Sequence, residues 1–426
     1  MLLNFYIENF KSFKNRVDFS MEATGLANLI EGNTHKINNI SLLKSAVIYG
    51  ANASGKSSLL DAMAEMKSIV LLSANLNVKY VHRPFLLNTQ NQNEPTSFEI
   101  EFIIDEILYY YGFVIDKNGI ILKEYLEQKK LQSGARKVFL FERETSDSTE
   151  IKLGTHFKEG KKLELKTRDN SLFLSVVAQF NGEISTKIIN WFKNFNILSN
   201  LKSEEFQHLS FERLKNEHFK EKIVNLVKSA DVGIYDIVNK HISFEELKIK
   251  EKEVEALPSF ILEHLQKNGV NTIKTEHIVY NEENSFHNYE TFELNFESDG
   301  TQKLLALSAP IIDTLEKGSV LVVDELDNSL HTDLVEAIVK LFNSKETNPN
   351  NAQLIFTTHD TNLLNQEFFR RDQIWFTQKD IFGASELYSL IEYKSGSRND
   401  LNLEKNYLEG KFGAKPNISS FGLEVQ

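Results

Sequence analysis

A glycine-rich turn ending in lysine and serine stands between a short apolar run and an amphipathic one, and nothing else constrains this chain as tightly. Ala46-Val47-Ile48-Tyr49 reads as a buried strand, and Gly50 to Ser57 spells G-x-x-x-x-G-K-S. Ser57 to Leu71 follows with helical periodicity through Leu59, Leu60, Met63 and Met66. Strand, loop and helix in this order make a phosphate cradle. Small residues let successive backbone N–H groups turn inward on phosphate oxygens, and the helix N-terminus adds positive potential. The expected phosphate-binding residues are Gly50, Asn52, Ala53, Ser54, Gly55, Lys56, Ser57 and Ser58. Lys56 is placed to reach the β- and γ-phosphates, and the Ser57 hydroxyl to ligate Mg²⁺.

Two further apolar strands end in polar groups of the kind such a cradle needs. Ser319-Val320-Leu321-Val322-Val323 runs into Asp324-Glu325. A β-branched run of this kind cannot bury carboxylates, so both acids belong at its C-terminal tip, where parallel α/β sheets collect ligands. Asp324 is expected to hold Mg²⁺, directly or through water, and Glu325 to act as general base on the attacking water. Gln353-Leu354-Ile355-Phe356-Thr357 ends in Thr358-His359-Asp360, and His359 there could donate to the γ-phosphate. A strand-to-helix cap and an idle histidine are the plain alternatives; the phosphate loop tips the reading to catalysis.

The rest of the chain alternates in character. Antiparallel strands are expected at Leu3-Phe5-Ile7 and Val17-Phe19, and a meander from Ser97 to Leu126. Strand-like pieces recur at Val138 to Phe141 and Leu163 to Leu165. Helical patterns cover Leu172 to Phe180, Ile188 to Phe195, Phe206 to Lys228 and Phe244 to Glu255. Strand returns at Thr275 to Tyr280 and Thr291 to Phe296, and helix at Thr301 to Leu315 and Asp333 to Asn343. No heptad pattern persists long enough for a coiled coil, so the middle reads as a compact lobe. The organisation predicted is an α/β head with an antiparallel β layer, its first half at 1–170 and its second at 271–426, split by a helical lobe at 171–270.

Composition narrows the partners. With 41% hydrophobic and 25% charged residues over 426, the chain can bury a large core. Cysteine is absent, which removes disulfides and thiolate metal sites and fits a cytoplasmic location. No apolar run approaches the ~20 residues of a membrane span, so no membrane role is expected. The formal charge of −12 repels nucleic acid, so any such contact must be local. Lys129 to Lys137 and Lys158 to Arg168 could supply one, or are simply solvated faces.

With these motifs the chain resembles the ABC ATPase class, and within it compact bacterial relatives of RecF and SMC heads. The element Asn9-Phe10-Lys11-Ser12-Phe13 matches the start of those families, and the resemblance puts Lys11 and Ser12 among the nucleotide-binding residues. Glu297-Ser298-Asp299-Gly300-Thr301-Gln302 looks like their signature motif, with Asp299 in place of its first glycine. By resemblance, Ser298 and Gly300 of one subunit close over the γ-phosphate held by another, sandwiching ATP in a homodimer or higher homo-oligomer. The plainer alternative is that the same two residues cap the helix that follows, and both roles can hold together. Leu326 to His331 stands where such ATPases cross the dimer interface, with His331 replacing the usual aspartate. No glutamine loop is assignable: Gln90 and Gln92 both lie in a polar stretch.

Arg168 to Ser175 and Tyr407 to Pro416 are similar to the RloA and AbiL type of ATPase. That resemblance implies a subunit of an anti-phage abortive-infection system, controlling a separate nuclease-like or TOPRIM-like effector. The alternative is a RecF/SMC-like ATPase of DNA repair or chromosome maintenance.

Overall fold

The computed structural model describes residues 1–76, 80–145, 149–199, 210, 213–230, 233–245, 270–393 and 402–415. The chain forms two compact units: Met1–Asn200 with Thr314–Asn328 and Val335–Gln426, and Leu201–Asp313 with Ser329–Leu334.

The first unit holds two large sheets. One is antiparallel and seven-stranded: β1 (Leu2–Glu8), β2 (Val17–Ser20), β6 (Thr96–Ile104), β7 (Ile107–Ile115), β8 (Ile121–Lys130), β9 (Val138–Thr145) and β10 (Thr149–Leu153), in the order β10-β9-β8-β7-β6-β1-β2. Its alternation is that of a half-covered sheet: Phe98, Ile100 and Phe102 are buried while Ser97, Glu99 and Glu101 between them stay partly exposed. The other sheet runs β11 (Phe195–Leu198), β15 (Val320–Val323), β16 (Gln353–Thr357), β5 (Ser45–Gly50), β17 (Ile374–Lys379) and β18 (Ser385–Ser389), parallel except for the β17–β18 hairpin. All residues of β5 and β15 are buried, as parallel strands covered on both faces demand.

Helix α2 (Lys56–Leu72) touches both β1 and β5, and its Leu59, Met63 and Met66 share one core with Phe5 and Phe98 of the first sheet and Ile48, Val322 and Ile355 of the second. This core holds the phosphate-loop helix against both layers. The short α1 (Ile30–Asn33) leads into the β3–β4 ribbon (Thr34–Ile37, Ile40–Leu43).

Two sequence features singled out by resemblance serve packing. Glu124, fully buried, accepts from the N–H groups of Phe173 and Leu174 at 2.6 and 3.1 Å, holding the first turn of α3 (Phe173–Gln179). Arg143, also fully buried, donates to the carbonyls of Ser171, Asp169 and Arg168. Burial pushes the Glu124 carboxyl up, and Arg143 opposes the shift. At the C-terminal end, Tyr407 of the last described helix (Leu403–Leu408) stacks on Phe376 with ring centroids 5.6 Å apart, and Tyr388 donates to the Phe412 carbonyl at 2.6 Å. Pro416 lies outside the described residues.

The second unit contains α5 (Glu217–Lys228), an antiparallel sheet of β12 (Asp236–Ile242), β13 (Val270–Tyr280) and β14 (Phe286–Glu293), and most of α6 (Asp299–Lys317). Phe219, Ile223 and Val227 of α5 pack with Ile237, Ile273, Leu305 and Ile312 in its core.

Several expectations change. The lobe begins at 201 rather than 171 and continues to 313 rather than 270; α3 and α4 (Glu183–Lys193) belong to the first unit. The lobe is not all helical, because Asp236–Ile242 pairs with β13. The Ile188 to Phe195 helix stops at Lys193, and Phe195–Leu198 instead fills the sheet edge beside β15, where backbone pairing outweighs local helical pattern. Leu163 to Leu165 is no strand: Glu164–Lys166 is a 3₁₀ turn and Leu165 is 91% exposed. The strand expected to end at Phe296 ends at Glu293. Of the helix expected from Phe206, residues 206–209, 211 and 212 lie outside the described residues, and Asn216 caps a fresh start by accepting from Phe219 N–H. Positions 246–255 of the Phe244 to Glu255 pattern are also outside them. No helix among the described residues is long and apolar enough to cross a membrane.

Candidate active site

Strand register alone gathers the motifs. Val323 pairs with Phe356, Thr357 with Ile48, and Gly50 with Thr377, so β15, β16, β5 and β17 end at nearly the same level. Whatever follows each strand therefore meets at one sheet edge. A cavity of about 420 Å³ opens there, lined by Ser12, Asn52, Ala53, Ser54, Gly55, Lys56, Ser57, Ser58, Glu325, His359 and Lys379. Gly50 and Asp324 adjoin these residues without lining it.

The loop is held open by contacts that leave no room for side chains. A Cβ on Gly50 would sit 2.5 Å from the Thr377 carbonyl oxygen, and one on Gly55 2.5 Å from Ser385 Oγ. Gly55 also has φ +120°, a left-handed conformation costly to any other residue. Ser54 Oγ and Thr377 Oγ1 share a hydrogen bond of 2.6 Å, Ser385 Oγ donates to the Ser54 carbonyl at 2.6 Å, and Ser385 N–H donates to the Ser12 carbonyl at 2.7 Å. The β17–β18 hairpin thus braces the loop from behind. Neither Thr377 nor Ser385 carries a sequence signal, and Lys379, which lines the cavity, was equally invisible there.

Lys56 is 6% exposed and donates to its own loop, to the carbonyls of Gly50 at 2.8 Å and Ala51 at 3.2 Å. Burial pushes its ammonium below the usual lysine range, while Asp324, Glu325 and Asp327 pull it back up. Asp324 is 7% exposed and accepts from Thr357 Oγ1 at 2.6 Å; the same hydroxyl accepts from Glu325 N–H at 2.7 Å. Glu325 takes φ 48°, uncommon outside glycine, which turns its side chain off the strand line. His359 N–H donates to Asp327 Oδ2 at 3.1 Å, and burial followed by Lys56 pushes its imidazole below its ordinary value.

The donors fit a nucleotide triphosphate with a hard cation. Ser12 Oγ, which lines the cavity, is buried without a partner among the described residues, and the Lys56 ammonium is satisfied only by carbonyls that a phosphate could replace. The Ser57 hydroxyl and Asp324 carboxylate are the oxygen donors such a cation takes, with phosphates and water completing its shell. Among the described residues no group of three or more His, Asp or Glu forms an all-protein metal site.

Other expected residues stand apart from the cavity. Lys11 is paired with Asp61 Oδ2 at 2.5 Å and does not line it. Ser298 and Gly300 lie in the second unit, where Ser298 Oγ accepts from Thr301 N–H at 3.2 Å and so caps α6. A Cβ on Gly300 would meet the Ser329 carbonyl at 2.6 Å, so packing within this unit already requires glycine there. Gln90 and Gln92 do not line the cavity, and Gln92 Nε2 is spent on the Leu86 carbonyl.

The family model described as "AAA domain, putative AbiEii toxin, Type IV TA system" matches residues 45–365, from the start of β5 past His359. The chain belongs to this family. As an AAA ATPase domain it binds and hydrolyses ATP. Two solved structures align with this AAA domain: an SMC head bound to the C-winged helix domain of ScpA, at 13% identity and TM-score 0.44 over 91% of this chain and 97% of that one; and the SMC head domain from Thermotoga maritima, at 12% and 0.40 over 91% and 98%. No curated protein sequence matches it.

Proposed function

We propose that this ATPase is the nucleotide-driven subunit of an abortive-infection defence system, which associates with further copies of itself on binding ATP and so controls a separate nuclease-like or TOPRIM-like effector in the cytoplasm. One observation supports the reading most: the cavity lined at once by the phosphate loop, Glu325 and His359. The family's description, which names an AbiEii toxin and a Type IV TA system, supports the defence setting.

In this reading the loop N–H groups and Lys56 hold the β- and γ-phosphates. Glu325 takes a proton from the attacking water as its oxygen bonds to the γ-phosphorus and the bond to the β,γ-bridging oxygen breaks. His359 donates to a γ-phosphate oxygen. Ser57 and Asp324 would hold Mg²⁺, which when bound would supply neutralisation of phosphate charge. Ser298 and Gly300 of a second copy complete the site, which makes association depend on ATP.

Single-turnover hydrolysis by wild type and Glu325→Gln tests the chemistry: equal rates remove Glu325 as the base. Light scattering with and without ATP tests association, and Lys56→Ala should abolish it. Phage challenge of cells carrying the native locus tests the setting; protection unaffected by Lys56→Ala would overturn the defence reading.

A further inference from the structure

A second cavity, of about 570 Å³, lies at the opposite end of β5 from the phosphate loop. β5 has six residues, so the two ends are about 20 Å apart. Lys44, the residue before β5, is 1% exposed, lines this cavity, and its Nζ has no hydrogen-bond partner among the described residues. Its backbone is fixed on both sides: the N–H donates to the Asn33 carbonyl and the carbonyl accepts from Leu354 N–H, each at 2.9 Å. The main chain that carries the buried ammonium is therefore held in place.

A buried ammonium without a counter-charge is costly, and proteins keep one chiefly where an anion meets it. The surrounding charges sharpen the case. Lys36 and Lys345 line the same cavity and are exposed, against one carboxylate, Glu31. His35 lines it too and is pushed below its ordinary value by burial and by Lys44. In a chain of net charge −12 this local excess of positive charge runs against the general surface. The Asn348 amide on the wall is spent on the carbonyls of Phe342 and Ala352, at 2.7 and 2.9 Å, which leaves the lysines as the cationic donors.

We infer that this cavity is a second anion site, which takes a small phosphate-bearing molecule with Lys44 at its buried floor and Lys36 and Lys345 at its rim. The volume falls in the range of about 300–1,000 Å³ usual for small-molecule sites. A nucleic-acid backbone fits less well, because it tracks exposed basic stripes and not a single buried lysine in an acidic chain.

The test uses the full chain with Lys56→Ala, which silences the phosphate loop, and sodium pyrophosphate as probe in calorimetry and thermal melting. Saturable binding that raises the melting temperature is expected. Adding Lys44→Met should weaken it by about tenfold or more and remove that rise, while itself raising the melting temperature without the probe. If Lys44→Met does not fold by circular dichroism, Lys36→Ala with Lys345→Ala carries the test and should weaken binding several-fold. No saturable binding, or affinity unchanged in whichever variant folds, overturns the inference. Binding of a short single-stranded oligonucleotide in preference to pyrophosphate, lost with the same variants, overturns the small-molecule assignment.

Discussion

Thr357 donates its hydroxyl proton to Asp324 Oδ1 at 2.6 Å and accepts one from Glu325 N–H at 2.7 Å, so one side chain at the end of β16 fixes both acids at the end of β15. Glu325 holds φ 48°, a conformation that persists only where neighbours enforce it. Thr357→Val keeps the shape and removes both bonds. It should lower kcat by about tenfold or more and cost about 1–3 kcal/mol of stability, because Asp324 stays buried without its donor. Steady-state phosphate release and urea unfolding check the two parts; an unchanged kcat would detach the acids' geometry from turnover.

His359 reports on Lys56. Its imidazole is pushed below the ordinary value of 6.5 by burial first and the Lys56 charge second. A base whose folded value is depressed contributes stability that is complete above the unfolded value and lost as pH falls through the folded one. The nucleotide-free protein should therefore lose stability on acidification below about 6.5. Lys56→Ala removes one cause, so the His359 titration followed by NMR should move up toward its ordinary value. A midpoint that stays in place would show that burial alone sets it.

Lys56, Asp324, Glu325 and His359 were legible because each follows a buried strand at the end where parallel sheets gather ligands, and strand plus motif is a local signal. Their braces were not. Thr377 and Ser385 come from a hairpin more than three hundred residues beyond the loop they support, and from sequence a lone threonine or serine in a strand is indistinguishable from one facing solvent. Phe195, read as the end of the helix from Ile188, fails for a related reason: it continues the apolar helical spacing, and only the open edge beside β15 makes Phe195–Leu198 a strand. Lys11 shows the reverse, a residue carried by resemblance that the fold commits to Asp61.

Gly55 tests the cradle. At φ +120° and 2.5 Å from Ser385 Oγ, a methyl group meets both a strained backbone and a clash. Gly55→Ala should abolish ATP binding as read by a fluorescent nucleotide. Ser385→Gly in the same chain relieves the clash and leaves the backbone strained, so it should not restore affinity. Full rescue would mean that space alone was limiting.

Lys379 is exposed and lines the cavity at the end of β17. Lys379→Ala should raise KM for ATP several-fold, with kcat and melting temperature held, and the effect should shrink at high salt as screening predicts. A KM that does not move would leave Lys379 as a solvated neighbour.

Ser298 has a visible task, accepting from Thr301 N–H at 3.2 Å and sharing a hydrogen bond with Thr301 Oγ1 at 2.8 Å at the start of α6, and a proposed one, meeting the γ-phosphate held by another copy. Alanine confounds them, since loss of a cap alone costs about 1 kcal/mol. Aspartate separates them: it caps as well as serine but brings a negative charge that repels phosphate. Ser298→Asp should therefore keep the wild-type melting temperature while losing both ATP-dependent association and hydrolysis. If light scattering and phosphate release match wild type, the residue is a cap and the composite site must be built from other groups.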